Sequence, residues 1–93
     1  MIVSFACRET EKIWNMEPSR RFPPQMQRAA RRRLVQIDSA EALHDLRCPP
    51  GNRLEALAGN RAGQMSIRVN EQYRICFRWT GRDAEDVELV DYH

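Results

Sequence analysis

Lysine is almost missing from this chain. Lys12 is the only one, so nearly all the positive charge carried by its 15 lysines and arginines is guanidinium. The planar fork of arginine matches phosphate oxygens two at a time, whereas an ammonium is a point charge. Nucleic acid or an acidic protein is therefore the first partner class to consider, although a GC-rich genome alone also produces such usage. Long apolar runs are missing too. The stretch from Ile2 to Ala6 is interrupted by Ser4 and is too short for a signal peptide or a membrane span, so a cytosolic, cytoplasmic protein with no membrane partner is expected. Cysteine is sparse: Cys7, Cys48 and Cys76 are unevenly spaced, with no C-x-x-C and no histidine pair nearby. That spacing excludes a disulfide framework and a zinc site, and leaves reduced thiols. No repeats, linkers or low-complexity segments are present, and 93 residues suit one domain, 1–93, with one core.

The net charge of +2 hides an uneven distribution, with arginine runs at Arg20-Arg21 and Arg31-Arg32-Arg33 and further arginines from Met65 to Trp79. That last stretch is the most ordered signal in the sequence. Met65, Ile67 and Val69 alternate with Ser66 and Arg68; Tyr73, Ile75, Phe77 and Trp79 alternate with Arg74, Cys76 and Arg78. Period-2 alternation rich in β-branched and aromatic residues predicts a β-hairpin, with Asn70-Glu71-Gln72 as a three-residue turn. If Val69 faces Tyr73, then Ile67 faces Ile75 and Met65 faces Phe77 on one apolar face. Arg68 then stands opposite Arg74 on the other face, with Arg78 further along. Like charges directly opposite each other cost up to about 1 kcal/mol, so either water screens the pair or an anion sits between the guanidiniums.

Before the hairpin, Ile2 to Phe5 predicts a short strand, and Thr10 a cap for a short helix carrying Ile13 and Trp14 and stopping before Pro18. From about Pro24 to Asp38, Met26, Ala30, Leu34 and Ile37 form one helical stripe, with Arg28, Arg31 and Arg32 on the opposite side. Those arginines suit either a solvated helix face or a docking surface for ribosomal RNA or an acidic partner. Asp38-Ser39-Ala40-Glu41 reads as a capping box opening a second helix through Leu43 and Leu46. Cys48-Pro49-Pro50-Gly51 breaks the chain, Leu54 to Leu57 is strand or extended loop, and Asp86 to Val90 is a last strand. The order of elements predicts an α+β domain, helices on one face of an antiparallel sheet.

Chemistry has few candidate carriers. Glu55 is the only acid between Asp45 and Glu71 and sits among apolar neighbours, where a general base can be tuned. Asp91-Tyr92-His93 sets an aromatic for base stacking and an imidazole for proton transfer at a strand end. His44 stands alone in its segment, and Asp38 and Glu41 read as caps. Each candidate also has a plainer reading, as a surface carboxylate or a frayed tail.

Taken together, Leu54-Glu55-Ala56-Leu57-x-Gly59-Asn60-Arg61-x-Gly63, Ser66-Ile67-Arg68-Val69, Tyr73-Arg74-Ile75-Cys76-Phe77 and Asp91-Tyr92-His93 resemble the HigB-type toxins. These belong to the RelE-like superfamily of bacterial toxin–antitoxin systems. The resemblance covers nearly the whole chain. It implies two N-terminal helices packed on a curved antiparallel sheet. It also implies a ribosome-dependent endoribonuclease that cuts messenger RNA in the A site, by attack of a ribose 2′-hydroxyl on the adjacent phosphate. No metal or other cofactor is implied. The implied partners are the ribosome, messenger RNA and a HigA-like helix-turn-helix antitoxin, whose complex with the toxin binds operator DNA.

Residue by residue, Arg74 matches the hairpin arginine on the phosphate, and Arg68 a second phosphate arginine of YoeB-like members. His93 matches the C-terminal histidine used as an acid or for substrate placement. Asp91 and Tyr92 match the residues beside it, and together with Arg61 and Arg78 they would contact RNA. Glu55 departs from the HigB pattern, which has histidine there and a lysine where this chain has Ala58. YoeB-like members use a glutamate at that place as the base. The lost lysine predicts weak cleavage. Two alternatives remain: a non-catalytic toxin of the same fold that binds a protein such as gyrase, and a small RNA-binding module.

Overall fold

The computed structural model describes residues 1–91 and has two α-helices on one face of a four-stranded antiparallel sheet. Helix α1 spans Arg8–Trp14 and α2 spans Pro24–Ser39. Short 3-10 turns occupy Leu43–Arg47, Pro50–Asn52 and Gly59–Arg61. The strands are β1 (Glu55–Ala56), β2 (Met65–Arg68), β3 (Tyr73–Trp79) and β4 (Ala84–Asp91), and the sheet order follows the chain.

The hairpin has the predicted register: Met65 opposite Phe77, Ile67 opposite Ile75 and Arg68 opposite Arg74. Its turn is fixed by Asn70, whose Oδ1 accepts from the backbone N–H of both Gln72 and Tyr73 at 2.8 Å. That is the side-chain turn mimicry that makes asparagine a turn residue. The α2 stripe of Met26, Ala30, Leu34 and Ile37 is buried as expected, against Ile67, Ile75, Phe77, Val87 and Leu89 of the sheet. Arg31 does not simply point to water; its guanidinium lies 5.5 Å above the Trp14 ring.

Three local expectations change. Ile2 to Phe5 makes no regular strand. It runs parallel to β4 through isolated bridges, with Val3 N–H donating to the Ala84 carbonyl (2.9 Å) and Ala6 N–H to that of Val87 (3.0 Å). Thr10 does not cap α1 but is wholly buried inside it, and its Oγ1 accepts from the Leu89 N–H at 2.9 Å. The Asp38 capping box does not form: α2 runs on through Ser39, and Asp38 Oδ1 accepts instead from the Ile2 N–H. The capping carboxylate of the 3-10 turn at Leu43 is Asp45, which accepts from the N–H of Glu41 and of Ala42 at 3.1 Å.

Candidate functional site: an arginine cleft at the hairpin

The sheet face away from the helices is where the sequence and the structure diverge most usefully. Alternation makes it the polar face, yet Ser66 and Cys76 are fully buried there and Arg74 is only 9 % exposed. The turn Pro50–Asn52 packs against β2, and the Arg53 carbonyl after it meets Arg74, so Arg74 is not a solvated strand residue. Its Nε donates to Ser66 Oγ (2.8 Å), and its Nη2 donates to the Arg53 carbonyl (2.6 Å) and more weakly to that of Ser66 (3.4 Å). Glu55, opposite Ser66 in the ladder and half exposed, has Oε1 3.6 Å from Arg74 Nη2.

Magnitudes separate these contacts. Hydrogen bonds from a charged donor contribute about 1.5–3 kcal/mol each, while a half-solvated ion pair contributes about 0–1 kcal/mol. Arg74 is thus aimed by neutral oxygens, and Glu55 can leave it at small cost when an anion arrives.

Arg68 is half-buried across from Arg74, with Nε donating to the Asn70 carbonyl at 3.1 Å. Its own carbonyl is held from the helix layer by Arg33 Nε at 3.1 Å. Arg68 and Arg74, together with Arg53, Asn70 and Glu71, line a cleft of about 260 Å³. Arg53 had no signal in the sequence. It reaches the cleft because it ends the 3-10 turn in a left-handed conformation (φ 47°, ψ 57°), which no spacing pattern reveals. Such a backbone costs a non-glycine residue about 1–3 kcal/mol and persists only where its surroundings impose it.

The remaining predicted residues lie elsewhere or beyond description. Arg61 Nη1 donates to Gln64 Oε1 (3.0 Å) and to Glu88 Oε1 (3.2 Å), tying the loop to β4. Arg78 pairs with Asp86 at 3.8 Å. Neither lines the cleft. Asp91 stands opposite Tyr73, one residue from Arg74, and its Oδ2 accepts from Gln72 Nε2 at 3.1 Å. Tyr92 and His93 lie outside the described residues. Burial pushes the Cys76 thiol up, with Arg61 and Arg74 pulling only partly back. Among the described residues no cluster of three or more His, Cys, Asp or Glu could hold a metal, and no helix is long and apolar enough to cross a membrane. What the cleft can do is hold a phosphoryl group between guanidiniums with a carboxylate at its edge.

A family model described as the RelE-like toxin of the type II toxin–antitoxin system HigB matches residues 3–93. The chain is 42 % identical over 80 residues to Toxin HigB-1 of Vibrio cholerae, covering 85 % of this chain and 84 % of that protein. It is 33 % identical over 69 residues to an uncharacterized protein of Haemophilus influenzae, covering 74 % and 68 %. Among solved structures it resembles the YoeB-YefM complex from Staphylococcus aureus, with TM-score 0.63 and 20 % identity, over all of this chain and 95 % of that one. At that identity the likeness speaks to the fold.

Proposed function

The chain belongs to the HigB-like, RelE-like toxins of type II toxin–antitoxin systems, and from that premise we propose that it is a ribosome-dependent endoribonuclease acting on messenger RNA in the A site. The observation that carries this reading is the opposed Arg68–Arg74 pair at the cleft, with Glu55 3.6 Å from Arg74. Two guanidiniums lining one cleft repel each other until an anion joins them, and a scissile phosphate is such an anion.

In the reaction the Glu55 carboxylate takes the proton of the ribose 2′-hydroxyl, whose oxygen attacks the adjacent phosphorus. Arg68 and Arg74 neutralise the charge gathering on the non-bridging oxygens. The bond from phosphorus to the 5′-oxygen breaks, and His93 gives that oxygen its proton. The products are a 2′,3′-cyclic phosphate and a 5′-hydroxyl. Asp91 and Tyr92 orient the RNA beside His93, while Arg61 and Arg78 act on the RNA path outside the cleft. Ala58 supplies no cation where HigB relatives have lysine, so cleavage is slow. The proposed partners are the ribosome, messenger RNA and a HigA-like antitoxin that binds operator DNA as a complex with the toxin, in the cytoplasm. The structural neighbour, solved as a toxin–antitoxin complex, supports an antitoxin partner.

The test is cleavage of a defined messenger RNA on ribosomes with an open A site. We expect one discrete ribosome-dependent cut, falling about 10²–10³-fold in Arg74→Ala, the loss typical of one preorganised transition-state donor. His93→Ala should lose cleavage while retaining ribosome binding. A protein that neither binds ribosomes nor cuts would refute the reading and point to a protein target.

A further inference from the structure

We propose that Arg53 is a third phosphate ligand of the cleft, binding the RNA phosphodiester next to the one held by Arg68 and Arg74. This rests on the ribonuclease reading above and adds to it the residue that sets strand affinity.

Arg53 lies in a loop, yet both of its peptide groups are pinned. Its N–H donates to the Pro50 carbonyl at 3.1 Å, and its carbonyl accepts from Arg74 Nη2 at 2.6 Å. The preceding residue, Asn52, is fully buried, and its amide donates to Gln36 Oε1 (2.8 Å), the Leu46 carbonyl (3.2 Å) and the Cys48 carbonyl (3.3 Å). The Arg53 Cα is therefore fixed to the helix layer on one side and to the central arginine on the other.

The side chain has the opposite character. It is exposed and lines the cleft, and among the described residues no carboxylate oxygen lies within 4 Å of its guanidinium nitrogens or those of Arg68. Glycine would take the left-handed backbone here without steric cost, so what arginine adds is the guanidinium itself.

Charge gives the assignment. The guanidiniums of Arg53, Arg68 and Arg74 line the cleft against the one carboxylate of Glu71, while a phosphodiester carries a single negative charge. A strand that brings a second phosphate to Arg53 offsets the excess that one isolated monoanion leaves.

Arg53→Gly and Arg53→Lys are compared with the native chain on programmed ribosomes, with melting followed in parallel. Glycine relieves the left-handed strain and keeps the carbonyl that holds Arg74, so the variant should melt no lower than the native protein. KM for the programmed ribosome should rise about tenfold in Arg53→Gly, the loss of one charge-assisted contact, with kcat within about twofold, and lysine should restore part of it. An unchanged KM in a folded Arg53→Gly protein overturns the proposal, as does a loss confined to kcat.

If the native chain cuts nothing, the ribonuclease reading fails on its own, and binding of a single-stranded RNA oligonucleotide still decides the role of Arg53. The slope of log affinity against log salt should be shallower by about 0.7 in Arg53→Gly, one phosphate contact fewer on a single strand. Equal slopes and equal affinities overturn it.

Discussion

Arg74 has a side chain that its neighbours, rather than its charge, put to use. Ser66 Oγ and the Arg53 carbonyl take its Nε and Nη2, so the guanidinium keeps one direction whether or not Glu55 stays beside it. Its place opposite Arg68 was legible in the alternation of the hairpin, because strand register follows from which face is apolar. Its burial was not, since the loop that meets it has no period. Arg53 was invisible for the same reason: it and Arg74 are 21 residues apart and meet through a turn conformation. Far from the cleft, Ser19 Oγ donates to Glu9 at 2.7 Å, which with Lys12 holds the Glu9 carboxyl below its ordinary value of 4.5. A depressed carboxylate stabilises the fold fully above its unfolded pKa and loses that contribution as pH falls through the folded value. In Ser19→Ala the acid-unfolding midpoint should move to higher pH, with stability near neutral pH also reduced; tryptophan fluorescence against pH checks it.

Among the elements, the hairpin and α2 were the legible ones, each carrying its own period and, for the hairpin, its own turn asparagine. The edge of β4 was not. Its outward backbone groups are met by residues 1–6 and by Thr10, partners as distant in sequence as Met1 from Ala84 and Ser4 from Val87. An uncovered strand edge invites pairing with another chain, and here the N-terminal segment and a helix hydroxyl close it. That demand also explains why Thr10 is not a cap: its hydroxyl is spent on Leu89. Thr10→Val keeps the shape but leaves the buried Leu89 N–H unsatisfied, at about 1–3 kcal/mol. For a domain this size each kcal/mol lowers the melting temperature by about 4–8 °C. Thermal unfolding should show the loss, and hydrogen exchange at Leu89 should be the most accelerated in β4.

At the scale of the whole molecule, the helix layer supplies stability and the opposite sheet face supplies the cleft. Leu34 is fully buried in the former and touches none of the cleft residues' hydrogen bonds. Leu34→Ala should cost about 2–5 kcal/mol by calorimetry while leaving cleavage per folded molecule unchanged. The layered α+β arrangement was readable in advance because the periods change from 3.6 to 2 along the chain. The stitch between residues 1–6 and residues 84–87 has a further consequence, for the order of events on the ribosome that makes this chain. Residues 1–6 lack their sheet partner until β4 has left the exit tunnel, and β3, which carries Arg74, has one open flank until the same moment. Contacts this distant in sequence form late. A nascent chain halted after Trp79 would hold the hairpin arginines without the strand that braces them, so the cleft gains its full support only once β4 has been translated.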